Sequence, residues 1–264
     1  MSVYLDGVPV QHTAREATLN FGYDVAKGNL PEVGKINKFG ENNSVGATLE
    51  EVWDYSGTYQ YLADDTFATM YVSSDNAGDT GLVINVQGVD DEYNLFSANV
   101  TTDGANGRVF VALDTGSAGG KAWRVFRVRN TSATVALGNI YISKDNTDVG
   151  GNGIPDTVAD IQAEILIGEG QTLMALWTSP KNKTTYLTHF YCSTVSAKVT
   201  KVRLYYRPFG GSFNVKHTTA LNASANEHEW HFPGSYAGKG DFVMKASAVG
   251  AGGIVSAGFS GWYE

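Results

Sequence analysis

The chain of 264 residues contains a single cysteine, Cys192, so no disulfide can form within it. It also lacks any apolar run approaching the roughly 20 residues that span a bilayer. Its opening, MSVYLDGVPVQHTAREATLN, has no basic stretch followed by an apolar one, the pattern of an export signal. These absences predict a protein made and folded in a cytosol, with the sequons at Asn99 and Asn182 being chance occurrences. Positive charge is short as well: 19 Lys and Arg stand against 27 Asp and Glu, for a net charge of −8. A chain with that balance gains nothing from a phosphate backbone or an anionic bilayer, which argues against nucleic acid and membrane as partners. Catalytic signatures are missing too: there is no G-x-S-x-G, no Walker loop and no H-E-x-x-H.

What is present is β-forming. Charged residues make up only 17% of the chain, hydrophobic ones 42%, and there are 31 glycines. Short apolar and aromatic runs alternate with Gly, Asn, Asp, Ser and Thr. The clearest stretch runs from Gln171 to Trp262, where QTLMALWTSP, TTYLTHFYCST, AKVTKVRLYYRP, GSFNVKHTTAL, NEHEWHFP, GDFVMKASAV and GIVSAGFSGWYE read as successive strands. Between residues 46 and 160, TFATMYVSS, GLVINVQGVD, YNLFSANVTTD, GRVFVALD, AWRVFRVRN and VALGNIYISK do the same. In AWRVFRVRN the alternation turns Trp123, Val125 (or Phe126) and Val128 inward and Arg124, Arg127 and Arg129 toward solvent. IQAEILI turns Ile161, Ala163, Ile165 and Ile167 inward against Gln162 and Glu164. The exception is ATLEEVWDYSG, where Leu49, Val52 and Trp53 are spaced for one helical turn capped by Thr48. The expected fold is all-β, with two sandwiches of jelly-roll or Ig-like type. A Gly-Glu-Gly break at 168–170 divides them into domains 46–168 and 169–264. Residues 1–45 read as an N-terminal arm or lead-in loop, or else as an edge strand on the first domain, with weak helical spacing at Ala14, Ala17, Leu19 and Phe21.

Candidate chemistry is sparse. The densest oxygen ligands lie in KDNTDVGGNGIPD, where Asp145, Asp148, Asn152 and Asp156 form a candidate calcium set. The strict D-x-[DN]-x-[DN]-G order of a calcium loop fails there, which favours a polar turn. His228 and His231 are three apart on a strand, so they face opposite ways and cannot share a metal. The adjacent carboxylates Glu50/Glu51, Asp64/Asp65 and Asp90/Asp91 diverge for the same reason. Cys192, inside LTHFYCST, reads as a small buried hydrophobe. No catalytic residue and no cofactor are expected. The aromatic fraction of 12%, with 14 tyrosines, suits core packing and subunit contacts, or else an interface or sugar-binding face.

Several of these segments carry a family pattern. GKINKFGENNSVGATLEEVWDYSGTYQYL is followed by VSSDNAGDTGLVINVQGVDDEYNLFSANVTTDG and WRVFRVRN, with Trp53, Asp54, Gly57, Tyr59, Gly88, Val89, Asp90, Tyr93, Gly104, Phe126 and Arg127 in the pattern's places. GEGQTLMALWTSPKNKTTYLTHFYCS follows, departing at Trp177 (usually Tyr) and at Lys181-Asn182 (usually Ala-Gly), and GKGDFVMKASA and VSAGFSGWYE close it. Over residues 34–262 the chain resembles a family of virion structural proteins of tailed bacteriophages. The resemblance implies a particle component assembled in the bacterial host cytoplasm, with no catalytic residue. A capsid decoration, cement or head-spike protein would bind the major capsid protein or other virion proteins and form a closed homo-oligomer, a trimer or pentamer. The alternative it leaves is a tail or fibre component that binds a host-surface glycan or receptor.

Overall fold

The computed structural model describes residues 3–5, 8–10, 21–55, 57–250 and 253–264, with residues 3–5 and 8–10 described by backbone alone. The fold is all-β, as the turn-punctuated runs predict. β1 (Val3–Leu5) pairs with β2 (Val8–Val10), and helix α1 (Phe21–Lys27) precedes β3 (Gly34–Val45) and β4 (Glu50–Glu51). The middle of the chain supplies β5 (Tyr71–Ser74), β6 (Val83–Asp90), β7 (Leu95–Thr101), β8 (Val111–Ala112), β9 (Ala122–Asn130), β10 (Ile140–Ser143) and β11 (Ile161–Ile165). The last third supplies β12 (Leu176–Thr178), β13 (Thr185–Thr194), β14 (Thr200–Arg207), β15 (Asn214–Leu221), β16 (Ala225–Tyr236), β17 (Asp241–Ala248) and β18 (Gly253–Tyr263).

Every strand pairing is antiparallel, the pattern that short turn-linked strands permit. One sandwich packs β11-β10-β5-β8 against β7-β6-β9; the other packs β16-β13-β18-β3 against β12-β17-β14-β15, with β4 added beside β17. Among the described residues, one buried apolar cluster runs through both, from Ile84, Val86 and Trp123 to Phe190, Phe242 and Phe259.

Four local expectations are corrected. Residues 34–45 are not a lead-in: β3 is a 12-residue strand paired along β18, from Val45↔Gly253 to Gly34↔Tyr263. Its inward positions Ile36, Lys38, Gly40 and Asn42 are buried, a period-2 signal masked by the small and polar residues that carry it. Ala14, Ala17 and Leu19 lie outside the described residues, and Phe21 opens α1. Thr48–Trp53 forms no helical turn; Glu50 and Glu51 pair with Ala246 and Lys245, and Trp53 bridges to Met174. A neighbouring strand with open backbone groups outweighs one turn of weak helix propensity.

Arg124 is buried rather than solvated, because the outer face of β9 is covered by the other sandwich. In β11 all five residues are buried, Gln162 and Glu164 included, while Ile167 falls beyond the strand and is exposed. Both strands lie between covered faces, where alternation no longer separates core from solvent.

Candidate binding face

The candidate site lies on the outer face of β16-β13-β18-β3. Register places side chains on that face in rungs. One rung runs Phe39–Gly258–Tyr191–Glu227, and the next runs Glu41–Ser256–Ser193–Ala225. The second rung has small side chains at its centre. The first has none at Gly258, and the Tyr191 ring occupies that space: a Cβ there would sit 2.4 Å from the tyrosine Cζ. The Tyr191 hydroxyl donates to the Lys38 carbonyl at 3.3 Å, and burial raises its phenol above the ordinary range. The Ser256 hydroxyl donates to Glu41 Oε2 at 2.5 Å. The result is a groove of about 690 Å³ with a low floor of Ser193, Ser256 and Ala225 and rims at Phe39, Tyr191, Glu41 and Glu227.

At the other end of the same face, α1 is seated. Phe21 meets Trp262 edge-on with centroids 4.8 Å apart, and Tyr186 stacks on Trp262 at 5.2 Å. His189 and Glu229 approach to 3.8 Å there.

The residues singled out from sequence do not assemble into a reactive centre. Asp145 accepts from the Thr147 and Thr157 N–H groups, Asp148 from Asn152 and Gly153, and Asp156 from Val149, while Asn152 accepts from Ile154. The candidate calcium oxygens are thus turned onto their own loop, and among the described residues no three His, Cys, Asp or Glu side chains gather around a metal-sized space. The paired carboxylates diverge. Glu50 accepts from Gly46 and Gly57, whereas Glu51 is buried against Lys245 at 2.7 Å. Asp64 pairs with Arg207 at 3.1 Å while Asp65 accepts from the Tyr93 hydroxyl. Asp90 caps the turn at Glu92 and Asn94. Cys192 is buried in β13, and burial pushes its thiol up to about 12.

His231 packs against exposed Phe232, apart from His228. His228 instead stacks on His217 at 4.5 Å, and both meet Trp230. Sequence reasoning missed this pair because β15 and β16 belong to different sheets. The rungs of the groove were missed for a similar reason: four strands contribute one residue each.

Two buried carboxylates have displaced protonation. Asp54 is pushed up to about 8, first by burial and then by Glu164, Glu169 and Glu41, although the Leu173 N–H donates to it at 2.7 Å. Glu164 is pushed up to about 7, first by burial and then by Asp75. Lys38, buried and donating to the Phe126 carbonyl, is held well below its ordinary range, first by burial and then by Arg127.

No protein-family model matches the chain, and no curated protein matches it. Among solved structures it is similar to the PBSX exported protein XepA, at 11% identity and a TM-score of 0.20, over 88% of this chain and 86% of that one. It is also similar to infectious bursal disease virus structures. The Gx strain matches at 7% identity and a TM-score of 0.21, over 85% of this chain and 71% of that one. The Gt strain matches at 12% identity and 0.20, over 92% and 77%. Likenesses this distant carry no argument about activity.

Proposed function

We propose that this protein is a non-enzymatic structural component of a tailed-bacteriophage particle, associated with the capsid as a decoration, cement or head-spike protein. The observation that carries this reading is where the family-pattern residues fall. Trp53 and Tyr59 pack edge-on in the core at 5.1 Å, and Asp90 caps the β6–β7 turn. At Gly88 a Cβ would lie 2.0 Å from the Arg124 carbonyl. The pattern is one of scaffold residues, and it converges on no nucleophile, base or ligand set. In this reading the work of the protein is done by its surfaces.

Two edges support docking to further copies. Among the described residues, β15 pairs only with β14 and β16 only with β13, so each carries a row of free backbone N–H and C=O groups. Unpaired edges invite another chain unless they are covered, and a symmetric oligomer covers them. The major capsid protein or another virion protein supplies the remaining partner surface in this reading. Fractionating a lysate of infected cells on a density gradient tests it: the protein should travel with particles, and recovery only in the soluble fraction overturns the proposal. A second reading, a tail or fibre component that binds host-surface glycan, is favoured by the groove between Tyr191 and Glu41.

A further inference from the structure

We infer that the groove on the outer face of β16-β13-β18-β3 is a binding site for an uncharged hexopyranose chain. The inference deepens the second reading above by naming the ligand class, but it rests on the groove's geometry alone and holds wherever in a particle the protein sits.

Three features select the ligand. The first is shape. A cleft of about 690 Å³ lies within the range of small-molecule sites. It is open to solvent and takes residues from all four strands, so a chain can lie across it. The second is a mostly apolar lining with a few oxygens set into it. The Tyr191 ring lies over Gly258 with Phe39 on the flanking strand, and hydroxyls and carboxylates from Ser193, Ser256, Glu41 and Glu227 surround them. A hexopyranose has the matching surface, with C–H faces that rest on aromatic rings and equatorial hydroxyls that donate to carboxylates.

The third feature is charge. The lining holds two glutamates and no Lys, Arg or His. Uronic acids, sialic acids and phosphorylated sugars would bring like charge to Glu41 and Glu227 with nothing to offset it, so they are selected against.

The nearest competing occupant is a lysine-bearing peptide, drawn by the same carboxylates. The floor disfavours it. The floor's central strands, β13 and β18, are paired on both sides, so the backbone groups beneath Tyr191, Ser193 and Ser256 are spent in ladders, and an open edge is offered only at the groove's margin on β16. A peptide laid across that central floor finds no edge to pair with there, and its own backbone groups are left without partners.

The test is titration of the full chain, followed by amide NMR shifts and calorimetry. The probes are gluco-, manno- and galacto-hexasaccharides, with oligogalacturonate as the anionic control and a tri-lysine peptide as the cationic one. At least one neutral hexasaccharide is expected to move the resonances of Phe39, Tyr191 and Ser256, while oligogalacturonate moves none. Tyr191→Ala should weaken that binding by about tenfold or more, the worth of a lost stacking contact. Tyr191→Phe should retain it. Glu227→Gln changes an exposed side chain, so a severalfold loss there cannot be ascribed to unfolding. Failure of all three neutral probes overturns the inference, as does binding indifferent to both Tyr191→Ala and Glu227→Gln, or capture of the tri-lysine peptide in their place. No particle enters the experiment, so a negative result leaves the virion reading standing.

Discussion

Arg124 and Asp241, 117 positions apart in the chain, face each other as a buried two-pronged pair, Nε to Oδ1 at 3.0 Å and Nη2 to Oδ2 at 3.2 Å. Each is almost wholly shielded from solvent. Thr178 donates to the same aspartate at 2.6 Å, and the Arg207 Nε donates to it at 2.9 Å. The pair ties β9 of one sandwich to β17 of the other. Breaking it should therefore cost far more than breaking a surface pair. Asp241→Asn leaves the buried Arg124 guanidinium without its close carboxylate and Arg207 with Asp64 alone, and is expected to lose about 3 kcal/mol or more in urea denaturation. A loss under about 1 kcal/mol would mean that the charges are not desolvated as the geometry requires.

Asp54 gives a pH dependence of defined sign. Its folded value of about 8 lies above its ordinary 3.8. Between those two values the folded chain holds a proton that the unfolded chain has released, so stability falls as pH rises through the window and levels off above it. Glu164 adds to the same trend up to about 7. Asp54→Asn removes the larger contribution. The variant should lose less stability than the parent between acid and mildly alkaline pH, seen as a smaller fall in melting temperature across that window. Parallel melting curves for parent and variant would show that Asp54 ionises freely in the fold.

Gly258→Ala tests the packing beneath the groove. The added methyl carbon would lie 2.4 Å from the Lys38 carbonyl oxygen and 2.4 Å from Tyr191 Cζ. The tyrosine can swing away, but the backbone carbonyl of a paired strand cannot. Thermal denaturation should show a loss of about 2 kcal/mol, in the range of overpacked cores. A neutral result would show that β3 and β18 are free to slide apart.

Truncation distinguishes a lead-in segment from a structural strand. A chain beginning at residue 46 lacks β3, exposes the full edge of β18 and uncovers Val255, Ala257 and Phe259. It should not show a single cooperative unfolding transition. A melting curve like that of the whole chain would return residues 34–45 to the role of an arm.

These residues also show what could be read in advance. Strand positions and the all-β class were legible because alternation and turn residues are local. Cys192 as a buried hydrophobe was legible for the same reason. Arg124 was misread because alternation reports only that a strand has two faces, and a second sandwich covers the one assigned to water. β3 was misread because Gly, Asn and Lys occupy its inward positions. The groove was invisible because Phe39, Tyr191, Glu227 and Gly258 are brought together only by register across four strands, and register is set by tertiary packing.

We propose that the protein works as part of a phage particle, docked on its shell. Gold labelling of purified particles with an antibody against this chain tests that claim most directly. Label distributed over the head surface is the predicted result; label confined to the tail, or absent from intact particles, would contradict it.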